Sequence, residues 1–219
     1  MRRRRAPRIL AFCALLAAGV AFANGTAQPD SVSFFADASP AGDFAMNTSF
    51  GFLFSEDGGA TCEWTCHEAV IGTAPFTPGA VRAPNGALYV TTPLVLGTDP
   101  SLTLYRTTDR GCTWVGNESL RSRTVRSLAF RPGDDATVVA IGTSRSGVGV
   151  VWRSSDGGVS FGSPRLEVPE HVFTTVHYAP SDPQRLYVAA LKQTLPQEAV
   201  LYRSDDGGDG WTALPFAFV

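Results

Sequence analysis

The chain has 219 residues, of which 44% are hydrophobic and 17% are charged, with 18 basic and 20 acidic side chains. Five arginines precede residue 9, so the remainder carries 13 basic against 20 acidic side chains, a net charge of −7. That balance argues against a general binder of nucleic acid or of anionic membranes, because such proteins present an excess of positive charge.

The first 23 residues are ordered like a secretory signal peptide. The arginines are followed by an apolar run over residues 9–22 and by the small-x-small sequence Ala21-Phe22-Ala23. The run is too short to favour a permanent membrane span. We therefore expect residues 1–23 to be removed and residues 24–219 to form one secreted or periplasmic domain without stable membrane insertion.

A short segment recurs four times along the mature chain. Its template is Ser/Thr-x-Asp-x-Gly-x-Ser/Thr-aromatic, and successive aspartates are 52, 47 and 50 residues apart. The first copy has Cys62 in the aromatic slot, and the fourth has Gly210 in the slot of the second hydroxyl residue. The segments share the aspartates Asp57, Asp109, Asp156 and Asp206, the glycines Gly59, Gly111, Gly158 and Gly208, and the aromatics Trp114, Phe161 and Trp211.

This pattern resembles the Asp-box repeat, also called the BNR repeat, of sialidases, sortilin-type receptors and photosystem II assembly factors. Four copies in register are far more specific than one, and they extend over nearly all of the mature chain. The resemblance implies an all-β β-propeller of four-stranded antiparallel blades, at about residues 29–72, 79–121, 124–168 and 171–219.

The residue types of the repeat suit a structural staple. An aspartate in a tight turn accepts hydrogen bonds from turn amides and from the Ser/Thr hydroxyls. The glycine supplies a left-handed backbone, and the aromatic side chain packs within the blade. We therefore expect these carboxylates to be structural, on the face away from the usual ligand site of propellers.

Short apolar runs support the same period. One run precedes each box, at residues 50–54, 102–105, 148–152 and 199–202, and another follows Pro84, Pro132 and Pro180, at residues 87–91, 137–141 and 185–190. In the first repeat, Pro29 matches this proline, which assigns residues 31–36 to a second strand and leaves no residues for the first.

Four blades are thus expected, the first lacking its innermost strand, in a propeller that is incomplete. A closed four-bladed ring is the alternative. An open arc would expose strand edges and apolar faces, which invites self-association.

Three cysteines follow the leader: Cys62, Cys66 and Cys112. In an extended strand Cys62 and Cys66 would lie about 13 Å apart, beyond the roughly 4.4 to 6.8 Å that a disulfide allows between Cα atoms. The preferred pair is therefore Cys66 with Cys112, between neighbouring repeats.

The ligand site is expected in the loops that share one face of the propeller. Arg121, Arg123, Arg126 and Arg145 concentrate positive charge in those loops, and guanidinium groups suit a carboxylate or a sulfate. The plainer interpretation is a set of solvated surface arginines. The prediction is a secreted, non-catalytic recognition or assembly scaffold that binds a protein or glycan, with no catalytic residue, metal or cofactor assigned.

The alternative is a sialidase-like exo-glycosidase whose remaining catalytic residues lie in missing blades. The resemblance to sialidases would imply three arginines on the substrate carboxylate, a tyrosine nucleophile, an aspartate and an Arg-Ile-Pro sequence. No Arg-Ile-Pro occurs after the leader, and Tyr89, Tyr178 and Tyr187 have no acid partner recognisable from spacing. Nothing outside the repeat favours a photosystem-type assembly factor.

Overall fold

The computed structural model of the protein describes residues 32–36, 43–67, 78–92 and 101–214. The leader and the last five residues therefore lie outside the described residues. Consecutive strands pair antiparallel into four sheets of four strands. Sheet 1 contains β1 (Val32–Ala36), β2 (Phe44–Thr48), β3 (Gly51–Ser55) and β4 (Glu63–Thr65); sheet 2 contains β5 (Gly79–Arg82), β6 (Leu88–Thr91), β7 (Leu104–Thr107) and β8 (Val115–Gly116); sheet 3 contains β9 (Thr124–Arg131), β10 (Asp134–Thr143), β11 (Gly149–Ser154) and β12 (Leu166–Val168); sheet 4 contains β13 (His171–Ala179), β14 (Asp182–Lys192), β15 (Ala199–Ser204) and β16 (Thr212–Leu214).

A single 3-10 turn, Glu118–Leu120, separates sheets 2 and 3 in the described part of the chain. The Asn117 side chain caps it by accepting a hydrogen bond from the Leu120 amide at 3.1 Å. No helix among the described residues is long and apolar enough to cross a membrane.

The four sheets stack in chain order, and a separate apolar cluster fills each of the three gaps between neighbours. The largest fully buried side chains in these gaps include Phe52, Tyr89, Trp152 and Phe173. The first strands touch in succession, β1 with β5, β5 with β9 and β9 with β13. The first strand of each sheet is therefore innermost, and the sheets are arranged around a common axis.

Burial shows which sheets are covered on both faces. In β10 the residues Val138 to Ile141 are all fully buried, because alternate side chains pack on sheets 2 and 4. In β14 only alternate residues, Leu186, Val188 and Ala190, are buried, although residues 186–191 are a continuous apolar run. Burial on both faces thus marks a strand inside the stack, and alternating burial marks one at its end.

The first sheet corrects the expected strand count. Val32–Ala36 pairs with Phe44–Thr48, which pairs with Gly51–Ser55, so sheet 1 has all four strands and β1 is its first strand rather than its second. The prediction was wrong because Pro29 was matched to the prolines of the other repeats, which assigned residues 31–36 to a second strand. A two-residue turn at Ser49 and Phe50 instead joins β2 directly to β3, and the Thr48 hydroxyl donates to the Gly51 carbonyl at 2.7 Å.

Candidate functional site

Strand register places two kinds of connection at opposite ends of every sheet. In sheet 3 the start of β9 pairs with the end of β10, Thr124 opposite Thr143. The entry to β9 and the β10–β11 connection therefore lie together at one end, which we call the loop end. The β11–β12 connection lies at the other end, because Ser154 pairs with Val138 next to the β9–β10 turn.

The repeated segments form turns at that second end, which we call the box end. The box turns are residues 55–61, 107–113, 154–160 and 204–210, each joining the third strand of a sheet to the fourth. In the second turn the Thr107 hydroxyl donates to Asp109 Oδ1 at 2.8 Å and accepts from the Gly111 amide at 2.9 Å. The Thr113 amide and hydroxyl donate to the two carboxylate oxygens of Asp109 at 2.9 and 2.6 Å.

The same bonds recur in the other box turns, with one loss. Asp57 and Asp156 each accept from the hydroxyl residues on both sides, as Asp109 does. Asp206 accepts from Ser204 Oγ at 2.8 Å and from the Gly210 amide at 2.8 Å, but Gly210 has no hydroxyl to donate. Each carboxylate therefore accepts hydrogen bonds within its own turn.

Hydrogen bonding holds these carboxylates ionised. The Thr61 amide and hydroxyl, with Ser55, lower the pKa of Asp57 to about 2. The Thr113 hydroxyl and amide, with Thr107, do the same for the pKa of Asp109. Groups with such pKa values cannot act as general acids near neutral pH.

Two further box aspartates shift in the same direction. Burial acts to raise the pKa of Asp156, but its bonds with Ser154 and Ser160 outweigh burial and lower it. The Gly210 amide is the main cause of the lowered pKa of Asp206.

The glycines and aromatics of the box turns act in packing. Gly59, Gly111, Gly158 and Gly208 have φ between 83° and 97°, a backbone that other residues resist. The indole nitrogens of Trp114 and Trp211 donate to the carbonyls of Gly111 and Gly208 at 3.0 and 3.1 Å. Phe161 is buried between sheets 2 and 3.

At the loop end, two of the four predicted arginines are engaged by their own loop. Arg121 forms a two-pronged ion pair with Glu118, with both N···O distances 2.6 Å, and also contacts the Ser101 hydroxyl. Arg123 is half-buried, and its guanidinium points to the Arg121 carbonyl at 3.5 Å. These two side chains stabilise the entry to β9.

Arg126 lies in strand β9, not in the loop to which the sequence assigned it. The pairing of β9 with β10 shifts between Ile141 and Gly142, so Arg126 is the extra residue of a β-bulge. A bulge turns its extra side chain out of the regular alternation. Arg126 is exposed, and its side chain makes no hydrogen bond or ion pair with any described residue.

Gly142 makes that bulge possible, and the sequence analysis missed its role. A Cβ added to Gly142 would lie 1.8 Å from the Thr124 carbonyl oxygen, so only glycine allows β9 to approach. A glycine inside a β-rich run was the available signal, because such glycines often mark bulges.

A second bulge occupies the matching place in sheet 4. The pairing of β13 with β14 shifts between Phe173 and Thr175, which leaves Thr174 as the extra residue. The exposed Thr174 hydroxyl donates to the Ala189 carbonyl at 3.1 Å. Of the two bulges, the one on β9 alone presents a charged side chain.

Arg145 lies in the β10–β11 turn at the same end as Arg126. It is exposed, and its side chain has no partner among the described residues. Near it, the Ser144 amide donates to the Val148 carbonyl at 2.9 Å, which holds the turn closed. The structure thus leaves two cations, Arg126 and Arg145, available at the loop end of sheet 3.

At the loop end of sheet 4, by contrast, two charged side chains form an ion pair. Lys192 contacts Glu198 at 2.8 Å across the β14–β15 connection, an exposed pair. This contact raises the pKa of Lys192 and lowers that of Glu198.

The tyrosines considered as nucleophiles lie at the end of the sheets opposite to Arg126 and Arg145. The Tyr89 hydroxyl donates to the Gly157 carbonyl of box turn 154–160, at the box end. Tyr178 and Tyr187 flank the β13–β14 turn, also at the box end. Burial raises the pKa of Tyr178 to about 12, which makes it a poor nucleophile.

The histidines make separate structural contacts. His67 is buried, with Nε2 3.2 Å from Asn47 Oδ1, and His171 Nδ1 lies 2.8 Å from the Pro169 carbonyl. No group of three or more metal-ligating side chains occurs among the residues that the structure describes.

The predicted disulfide between Cys66 and Cys112 is absent from the structure, where Cys62, Cys66 and Cys112 are all free thiols. The neighbouring residues do meet, because a Cβ added to Gly111 would lie 2.9 Å from Thr65 Oγ1. Cys112 is exposed on its box turn, whereas Cys66 is half-buried after β4.

No protein-family model matches the chain, and no curated protein matches it significantly. Among solved structures, it is similar to an ancestral GH74 enzyme, with 18% identity, a TM-score of 0.59, and coverage of 82% of this chain and 23% of the enzyme. It is also similar to a protein assigned as TolB from Agrobacterium tumefaciens, with 12% identity, a TM-score of 0.52, and coverage of 84% and 62%.

At these identities the likeness concerns the fold alone, and this chain spans less than two thirds of either structure. The four antiparallel sheets around a common axis agree with it. The chain is an all-β propeller-type protein with four four-stranded blades, which confirms the predicted fold class.

Proposed function

We propose that this protein is a secreted, non-catalytic recognition scaffold that binds an anionic group of a protein or glycan at the loop end. The observation that carries the proposal is Arg126. Its guanidinium is exposed at a bulge of an innermost strand and pairs with no described residue. Arg145 adds a second cation without a described partner at the same end of sheet 3.

The chemistry of the guanidinium sets the class of ligand. A planar fork of donors matches a carboxylate or a sulfate, which can accept two bonds at once. Arg121 illustrates this geometry within the chain, since it grips Glu118 through two nitrogens. An anionic ligand would take the corresponding place on Arg126.

The remaining polar groups support binding over catalysis. A retaining glycosidase needs two catalytic groups on either side of the scissile bond. The four box carboxylates are bonded within turns at the opposite end, and Tyr89, Tyr178 and Tyr187 also lie there. The sialidase-like alternative gains no support from the described residues.

We further propose that the repeats are Asp-box repeats and that residues 1–23 direct export. The repeated bonds of the four box turns support the first point, and the order of charged and apolar residues in the leader supports the second.

The test is binding of the purified protein to immobilised sulfated and sialylated oligosaccharides and to acidic peptides, with neutral glycans as blanks. We expect Arg126→Ala to weaken binding of the best probe about tenfold or more, because a charge-assisted bidentate contact is lost. Arg185→Ala, which removes an arginine from the box end, is the matched control and should bind like the wild type.

Equal binding by Arg126→Ala and the wild type would refute this site, as would a protein that binds none of these anionic probes. Turnover of fluorogenic sialosides that is abolished by Arg126→Ala would favour the enzyme instead.

A further inference from the structure

The internal sheet contacts of this protein follow one rule. Each sheet has a forward face, which packs on the next sheet, and a backward face, which packs on the preceding one. The forward face is formed by Ala45 and Phe52 in sheet 1, by Tyr89 and Leu104 in sheet 2, and by Val139 and Val151 in sheet 3. The backward face is formed by Val90 and Tyr105 in sheet 2, by Ala140 and Trp152 in sheet 3, and by Val188 and Tyr202 in sheet 4.

The end sheets carry the same types of side chain at faces that no other sheet of the described residues covers. By strand register, Met46 and Leu53 of sheet 1 match the buried backward-face residues. Tyr187 and Leu201 of sheet 4 match the buried forward-face residues, Tyr187 standing where sheet 2 has Tyr89. All four are only partly buried, so the packing pattern continues past both ends of the stack.

The free face of sheet 4 is apolar and recessed. Residues of β13, β14 and β15 line a depression of about 200 Å³, with Ala189, Leu191 and Leu201 on its walls. Leu191 is 38% exposed. An open apolar recess on a sheet face indicates a docking surface.

The internal interfaces show that a box turn of the next sheet packs on each forward face. At each internal interface the second glycine of a box turn abuts the preceding sheet: a Cβ on Gly111 would lie 3.3 Å from Phe54, on Gly158 3.1 Å from Tyr89, and on Gly208 3.1 Å from Val139. In box turn 55–61, a Cβ on Gly59 would meet only Phe44 of its own sheet among the described residues. No described atom lies within 4 Å of a Cβ placed on Gly58.

Sheets 1 and 4 of one chain do not pack closely on each other in the part of the chain that the structure describes. The succession of first-strand contacts runs from β1 to β13, and no contact of similar extent joins β13 to β1 among the described residues. The recess on sheet 4 and box turn 55–61 are both exposed.

We propose that the forward face of sheet 4 docks on the backward face of sheet 1 of a second copy of this chain. Two such contacts, related by a twofold axis, close a ring of eight sheets, within the range of four to eight blades that propellers use. In each contact Tyr187 meets box turn 55–61 of the partner copy, as Tyr89 meets box turn 154–160 within the chain.

The test is the mass of the purified full chain, expressed with its leader, by light scattering after size exclusion. We expect twice the mass of one chain. Ala189→Arg places a charge on the forward face of sheet 4, and Met46→Arg places one on the backward face of sheet 1. Each variant alone should be monomeric, because each dimer contact needs both faces.

Mixing the two variants separates this arrangement from others. An equal mixture keeps one unaltered contact, between the sheet 4 face of Met46→Arg and the sheet 1 face of Ala189→Arg, so a one-to-one dimer should form. That recovery also shows that both variants are folded. Leu195→Arg, at a side chain that is 95% exposed outside the recess, is the matched control and should stay dimeric.

Three results would overturn the proposal. A monomeric wild type would mean that a second copy does not cover these faces. Dissociation by only one of the two variants would mean that like faces meet. Assemblies of three or more copies would mean that eight sheets do not close the ring.

Discussion

The two ends of the sheets differ in how their charged side chains are used. At the box end, every turn aspartate accepts bonds from its own turn, and Arg153 pairs with Asp209 at 3.2 Å. At the loop end, Arg121 and Lys192 are paired, but Arg126 and Arg145 have no partner among the described residues. The aspartates that recur at the box end therefore stabilise turns, and the two arginines at the loop end that have no described partner indicate the candidate binding site.

The recurring aspartates and the single arginine differ in what they offer a ligand. The aspartates accept hydrogen bonds from hydroxyls and amides two to four residues away, which hold each carboxylate in its own turn. Arg126 differs from its counterpart Thr174, and that difference between repeats is the more useful guide to function.

The largest expected effect tests whether the loop end depends on a rigid bulge. Gly142→Ala should destabilise the protein by about 3 kcal/mol, because its methyl group would overlap the Thr124 carbonyl. Urea unfolding followed by tryptophan fluorescence measures the effect. Gly162→Ala is the control, since its Cβ would come no closer than 3.9 Å to other atoms, and its midpoint should hardly move.

The next effect tests whether the box end is structural. Asp156→Ala should cost about 1–3 kcal/mol, because the Ser154 hydroxyl and the Ser160 hydroxyl and amide lose a charged acceptor, a loss moderated by solvent screening. The exposed residue Asp135 makes no such bonds, so Asp135→Ala should unfold at the wild-type urea concentration. A neutral Asp156→Ala would contradict the staple role.

Acid should act on the box end in a defined pH window. The folded-state pKa values of Asp57 and Asp109 are about 2, below the usual 3.8, so their contribution is present above pH 3.8 and is lost as the pH falls towards 2. We expect the urea midpoint to drop over this range. Asp109→Asn cannot titrate there and should flatten the drop, and an unchanged slope would contradict this origin.

The smallest effect uses the one incomplete box turn. Gly210→Thr would restore the hydroxyl that the other three turns donate to their aspartates, and it should stabilise the protein by about 0.5–1 kcal/mol. The Asp206 carboxylate must shift slightly, since the new Cβ would lie 2.9 Å from Oδ2. Gly162→Thr is the control, because it removes a glycine without adding that hydrogen bond. If the urea midpoint of Gly162→Thr were as high as that of Gly210→Thr, the hydrogen bond would be excluded as the cause of the stabilisation.

Local signals allowed much of this fold to be predicted from the sequence. The box template, with its hydroxyls two residues before and four residues after each aspartate, specifies bonds within seven residues, so reading it needs no knowledge of the tertiary fold. The runs before the boxes correspond to the observed third strands, such as Ala199–Ser204. The strand Phe44–Thr48 was missed because Pro29 was taken as the proline of the first repeat, whereas Pro40 lies four residues before this strand, as Pro84 lies four residues before Leu88.

The repeated turns and the antiparallel sheets could be predicted from the amino-acid sequence, because both depend on residues close together in the chain. Which arginine lacks a partner among the described residues could not, because it depends on how closely β9 approaches Gly142 in the folded sheet. The tertiary structure also decided which sheet faces are covered. Alternating side chains belong to two different interfaces, and their burial depends on sheets that lie some 50 residues away in the chain.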